Sequence, residues 1–366
     1  MKPGSPHSAG GESQLLGIQV LRGFAAMAVT FHHALQESLA AAAGYKSPDF
    51  LTTSGAAGVD VFFVISGFIM MFTTFSPQRE VRSPSEFLIN RFVRIYPIYW
   101  VFLSVLLAIW SVGLYKTLGL TPDSVIRAAS LLPTNHLLLS VSWTLVYEIY
   151  FYLIFALTLI FRSMSMTLGL TIAGIVCGLV FGGFAPDIAT QRFLANPVAL
   201  EFCFGLALGA LVLKGVTFRM PGWLAWGAVA IMIAAPAFLV YPSTSGLEGI
   251  TRVIAWGAPA FIIVAASLHW RIGAGRIDNL WRLLGDASYS IYLCHPFVMM
   301  IYGRLLRDHE GLSAMIQWPI VVIVTALSAA VGVAVHRVIE KPLLGALQNA
   351  VRATRRPQPE PIMSKA

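Results

Sequence analysis

Leu15-Leu16-Gly17-Ile18-Gln19-Val20-Leu21-Arg22-Gly23-Phe24-Ala25-Ala26-Met27-Ala28-Val29-Thr30-Phe31-His32-His33-Ala34-Leu35-Gln36 is an apolar run interrupted by one cation, Arg22. A bilayer core of about 30 Å takes roughly 20 largely apolar residues as a helix, so this run is long enough to span it. A polar stretch through Gln14 precedes it and no small-residue cleavage site follows closely, which reads as a retained span and not a removed signal. Outward from it, apolar runs recur at about residues 56–75, 95–113, 142–161, 164–184, 197–214, 223–240, 252–268, 285–303 and 316–338. The expected fold is an all-α membrane protein, a bundle of about ten transmembrane helices.

Composition excludes a soluble fold. Of the 366 residues 57% are hydrophobic and 11% charged, against about a quarter charged in an ordinary soluble domain, and the mean hydropathy is +0.74. The net charge of +8 does not indicate nucleic acid, because the cations lie between apolar runs and form no basic domain. Placing the N-terminus in the cytoplasm puts 17 of the 25 basic residues inside and 7, including Arg252, in outer loops; Arg22 lies within the membrane. That bias predicts both termini cytoplasmic. The expected organisation is a cytoplasmic segment 1–14, a transmembrane domain 15–341 and an Arg- and Pro-rich cytoplasmic tail 342–366, expected to be mobile. Cys177, Cys203 and Cys294 fall in apolar stretches without metal spacing, so neither disulfide nor metal is assigned. No internal repeat, and no pair of broken helices of the transporter kind, is visible.

Ionisable groups within spans are costly unless paired or facing a wet cavity, which makes each a functional candidate. Arg22 and His33 are eleven residues apart, which returns a helix to within roughly 20° of the same face with a rise near 16 Å. One face thus presents a cation near the cytoplasm and an imidazole near the outside; His32 is rotated off it. In the second helix, Gly58 through Phe68, Asp60 enters at a depth similar to His33, where a carboxylate could fix the imidazole tautomer. Ser66 and Gly67 lie deeper, and close helix packing is the favoured reading for them. Before the third helix, Arg91 and Arg94 share a face at the cytoplasmic boundary and could fork onto phosphates. Topology alone would also place cations there, but Arg22 on the same side shifts the balance.

The fourth helix begins outside as Ser142-Trp143-Thr144-Leu145-Val146-Tyr147-Glu148, placing Glu148 about 9 Å below the entry. A structural partner for Arg or His and a direct acid/base role weigh equally for it. Glu201 in the sixth helix reads as a supporting residue. In the ninth helix, Ser288-Tyr289-Ser290-Ile291-Tyr292-Leu293-Cys294-His295-Pro296, the proline should free a carbonyl. His295, near the midplane, reads as a hydrogen-bonded core histidine or as a substrate contact.

In order and spacing these segments resemble the acyltransferase-3 family of integral membrane acyltransferases, which includes O-antigen, exopolysaccharide and nodulation-factor acetylases. The resemblance rests on Arg22 with His33, Gly58 through Phe68, Arg91 and Arg94 followed by Tyr96-Pro97, Ser142 through Tyr152, and Ser288 through Pro296. It implies a ten-helix acyltransferase in the bacterial inner membrane with acyl-CoA, usually acetyl-CoA, as cytoplasmic donor and no metal. It implies that Arg22, His33, Arg91 and Arg94 are essential, and that the acceptor is a hydroxyl of an envelope or extracellular polysaccharide or its lipid-linked precursor. Some relatives append a soluble hydrolase-like domain; here the chain ends soon after the tenth helix, so direct transfer or separate glycan-assembly proteins are expected.

The mechanism expected on that basis divides labour by depth. Arg22, Arg91 and Arg94 neutralise the CoA phosphates and the pantetheine arm extends toward His33. Asp60 or Glu148 orients His33, which deprotonates the acceptor hydroxyl or carries the acyl group itself. Ser66, Trp143, Tyr147 and His295 are assigned to the substrate pocket. The rival readings are a transporter of a sugar or acyl carrier, which would not consume thioester, and a non-catalytic envelope protein, which would tolerate loss of His33, Arg91 and Arg94 together.

Overall fold

The computed structural model describes residues 6–41, 49–77, 80–114, 119–239, 247–270, 272–307 and 314–354, and among these every regular element is a helix. The chain opens with α1 (Pro6–Ala41), the short α2 (Asp49–Thr53) and α3 (Gly58–Thr74). It continues through α4 (Pro84–Ser111), the short α5 (Pro122–Ala129) and α6 (Trp143–Thr158). Next come α7 (Met164–Phe181), α8 (Ile188–Leu194), α9 (Leu200–Leu213), α10 (Gly222–Leu239) and α11 (Gly249–Arg252). A π-helical turn, Val253–Gly257, leads into α12 (Ala258–Ser267), followed by α13 (Arg276–Asp286) and α14 (Ser288–Arg307). Finally α15 (Ala314–Val335) passes through a second π-helical turn, His336–Glu340, into α16 (Lys341–Thr354).

All ten expected runs are helical, but the count of spans differs. Among the described residues eight helices are long and apolar enough to cross a bilayer, or nine if the bent pair Ile188–Leu194 and Pro197–Leu213, at 44°, is one span. The pair bends where Asn196 caps a new turn through Val198 N, with Pro197 at its start, so the run expected at 197–214 is the second arm of a broken element. The run expected at 285–303 is α14, which is not among the eight; Ser288, Tyr289, Ser290, Tyr292 and His295 dilute its apolarity. Of the tail expected from residue 342, the part through Thr354 is helical, and 355–366 lie outside the described residues.

In lipid no hydrophobic force drives one helix onto another, so close backbone approach and internal polar contacts must do so. Helix α3 lies against α9 at such an approach. A Cβ on Gly67 would sit 2.1 Å from the Phe202 carbonyl oxygen, and one on Gly205 would sit 2.0 Å from that of Val64. Gly67 thus packs as expected, whereas its neighbour Ser66 turns to a polar partner. Helix α1 is central, packing on α3, α12, α13, α14 and α15. Phe24 of α1 stacks on Trp281 of α13 at 3.7 Å, and Gln19 of α1 bonds Asp286. The entry of α4 is set by a capping box: Ser83 Oγ accepts from Glu86 N at 3.3 Å, the Glu86 carboxylate accepts from Ser83 N, and Pro84 starts the helix. This start places Arg91 and Arg94 in the second and third turns.

Candidate active site

Two cavities flank one turn of α14. The first, about 150 Å³, is lined by Arg22 of α1, Ser66 of α3, Arg91 and Arg94 of α4, Thr144, Glu148 and Tyr152 of α6, and Ser288, Tyr289 and Tyr292 of α14. Three guanidinium groups from two helices thus meet the Glu148 carboxylate. Glu148 accepts hydrogen bonds from Tyr152 Oη and, at 3.2 Å, from Ser66 Oγ. Arg91 lies over the Phe87 and Tyr152 rings at 5.4 and 5.3 Å, cation–π contacts that hold its charge toward the cavity. Tyr289 Oη donates to the Ile95 carbonyl at 2.9 Å, tying α14 to the turn of α4 that carries Arg94. Glu148 is the carboxylate among the described lining residues, with Glu340 and Asp286 as further electrostatic neighbours of Arg22; guanidinium groups gathered at one cavity suit an anionic group such as a phosphate.

The second cavity, about 250 Å³, is lined by His33 and Glu37 of α1, His295, Pro296 and Met299 of α14, Leu106 of α4 and the segment 137–140. The His33 and His295 rings lie 5.2 Å apart at an interplanar angle of 24°. His33 also bonds the Gln36 side chain. The neighbouring His32 turns away, as its place on the helix predicts, and bonds the Thr52 carbonyl.

Between the cavities stands a hydroxyl layer. Tyr292 Oη meets Thr144 Oγ1 at 2.9 Å and donates to the Val141 carbonyl at 3.1 Å, and the Tyr292 ring lies 5.8 Å from that of His295. Arg22 and His33, placed on one face by their spacing, therefore open into different cavities on either side of this layer.

The structure brings Arg22, Arg91, Arg94, Glu148 and Ser66 into one cavity and His33 and His295 into the other. It does not bring either expected carboxylate to His33. Asp60, wholly buried, faces Arg252, whose Nε and a terminal nitrogen donate to its two oxygens at 2.9 and 2.8 Å. Arg252, counted from sequence as an outer-loop cation, closes α11 with its side chain 16% exposed, between the Trp143 and Trp256 rings at 5.6 and 5.1 Å. Glu201 is buried beside this pair, with Asp60 and Arg252 as its electrostatic neighbours. Glu148 serves the arginine cavity instead, because the face of α6 that carries it also carries Tyr152. Trp143 and Tyr147 line neither cavity: Trp143 packs on Phe63 and Arg252, and Tyr147 stacks on Phe193 at 4.3 Å and donates to its carbonyl at 2.8 Å.

Sequence reasoning missed Arg252, Tyr152 and the Tyr292–Thr144 layer. The layer had a signal, since both hydroxyls lie within the quoted polar segments of the fourth and ninth helices. Arg252 had none, at the edge of an apolar run and 192 residues from its partner.

The family model of the acyltransferase domain matches residues 15–337. The chain is 34% identical over 305 residues to the exopolysaccharide production protein ExoZ of Rhizobium meliloti (strain 1021), covering 80% of this chain and 90% of that protein. It is 28% identical over 364 residues to the acyltransferase MdmB of Streptomyces mycarofaciens, covering 88% of this chain and 90% of that one. No solved structure matches. A match over nearly the whole chain, on a bundle of apolar helices with charged groups gathered inside it, makes this an integral membrane protein that belongs to the acyltransferase-3 family.

Proposed function

We propose that this protein is an O-acyltransferase that moves an acyl group from acyl-CoA to a hydroxyl of an envelope or extracellular polysaccharide, or of its lipid-linked precursor. The observation that carries this reading is the convergence of Arg22, Arg91 and Arg94 on one cavity. Guanidinium groups pair with phosphate oxygens in a fork, and CoA supplies such oxygens. The bias of basic residues supports a cytoplasmic position for this cavity; we take the membrane to be a bacterial inner membrane, and acetyl-CoA is the first donor to test. Similarity to the exopolysaccharide production protein ExoZ supports a carbohydrate acceptor. Glycan-assembly proteins would present that acceptor.

The acyl thioester passes the Thr144–Tyr292 layer to reach the imidazole cavity, where the acceptor hydroxyl lies beside His33. The hydroxyl oxygen bonds to the acyl carbon and the C–S bond breaks. The hydroxyl proton passes to His33 and then to the departing thiolate, leaving an ester and free CoA thiol. General-base assistance of this kind contributes about 10²–10⁴ in rate.

The test pairs mass spectrometry of envelope and secreted glycans, with and without the protein, with acetyl-CoA consumption by the purified protein. Glycans heavier by one acyl group, lost in His33→Ala, support the reading. Unchanged glycans and no thioester consumption would contradict it.

A further inference from the structure

Neither Asp60 nor Glu148, the carboxylates expected to orient His33, faces it; Glu37 lines the same cavity and is an electrostatic neighbour of Tyr302. The ring beside His33 is another imidazole. His295 is 1% exposed, and its Nδ1 lies 3.3 Å from the Ile291 carbonyl, with the Tyr292 carbonyl as a second backbone contact. Pro296 explains the second contact: it has no N–H to give to the carbonyl four residues back, which is that of Tyr292. Carbonyls only accept, so Nδ1 carries the hydrogen and Nε2 is a bare lone pair turned away from its own helix. That Nε2 is buried and has no hydrogen-bond partner. A buried acceptor left unmade costs stability unless something uses it.

We propose that His295 is the positioning residue for His33, its Nε2 accepting an N–H of the His33 ring. The proposal rests on the acyltransferase reading above, in which His33 takes the acceptor proton. Two near-coplanar imidazoles joined by an N–H···N bond of about 3 Å hold their ring centres roughly 5 Å apart. The rings are observed 5.2 Å apart with their planes 24° from parallel, as a stacked pair, so the distance fits and the bond forms when the His33 ring turns an N–H to the His295 edge. His33 then presents its other nitrogen to the acceptor hydroxyl. As the proton arrives, the charge is shared along a line from His33 through His295 to the backbone carbonyls of Ile291 and Tyr292. Neutral groups thus do in this buried site what a carboxylate does elsewhere.

The test compares two substitutions that split the histidine by nitrogen, in the full chain in membranes with acetyl-CoA and a deacylated bacterial exopolysaccharide. His295→Asn keeps a donor for the carbonyls and has no atom at the Nε2 position; His295→Gln places an amide oxygen there. His295→Asn is expected to lower kcat on the order of 10²-fold while the KM for acetyl-CoA stays near the parent value. His295→Gln should recover most of that loss, and His33→Ala combined with His295→Asn should be no slower than His33→Ala alone. Parent-like turnover in His295→Asn overturns the proposal. So does His295→Gln as slow as His295→Asn, or a double variant in which the two losses multiply. His33→Ala that turns over like the parent overturns the acyltransferase role of His33 itself and is read separately in the same series.

Discussion

Both oxygens of Asp60 are occupied by Arg252, and the pair is enclosed by Trp143 and Trp256. Removing one partner of a buried ion pair typically costs about 3–5 kcal/mol, whereas removing both with residues of similar volume is often close to neutral. Asp60→Asn is therefore expected to lower the thermal stability of the detergent-solubilised protein by that order, and Asp60→Asn with Arg252→Met should recover most of it. A melting curve for each variant checks this; a single variant as stable as the parent, with lost turnover, would return Asp60 to the chemistry. At this scale the sequence was informative where helical periodicity alone sets the answer. The eleven residues from Arg22 to His33 placed both on one face of α1, and three residues placed Arg91 with Arg94. It was uninformative where the partner lies on a distant helix, as for Asp60 with Arg252 and Glu148 with Ser66, because depth along a span says nothing about which neighbour faces it.

The contact of α3 with α9 depends on two glycines. A methyl on Gly67 or Gly205 would lie 2.1 or 2.0 Å from a backbone oxygen that cannot move independently. Overpacking of this kind costs typically 1–3 kcal/mol or more, so Gly67→Ala and Gly205→Ala should reduce the folded fraction in size-exclusion chromatography. Gly227 of α10 has nothing within 4 Å of its Cβ position. Gly227→Ala should be neutral or stabilising by up to about 1 kcal/mol on helix propensity. Equal effects at all three positions would contradict the close approach. The helices themselves were legible as apolar runs, because a span must satisfy its backbone internally. The bend between α8 and α9, the enclosure of the quoted polar residues of α14 and the helical start of the expected tail were not. The first depends on a cap at Asn196 and the second on which side of a helix is enclosed. The third depends on a π-helical turn, where Glu340 is held by Ser290 at 2.6 Å and His336 at 2.9 Å.

Across the whole molecule, two cavities lie on either side of Tyr292, and on the proposed reading they separate recognition of a phosphorylated donor from the chemistry at the imidazoles. The rise of about 16 Å between Arg22 and His33 along α1 is the distance the donor's arm has to cover. The two-cavity arrangement could not be read from the sequence, since it is created by a Tyr292–Thr144 contact between helices 148 residues apart. The central claim is that the guanidinium cavity binds the phosphates of the donor. Its most direct test is the ratio of kcat/KM for acetyl-CoA to that for S-acetyl-pantetheine, which lacks the nucleotide, in the parent and in Arg94→Ala. Each charge-assisted contact contributes about 1.5–3 kcal/mol, so Arg94→Ala should lower the ratio about 10- to 100-fold. S-acetyl-pantetheine itself should react at the parental rate. An unchanged ratio, or an equal fall for both donors, would contradict the account.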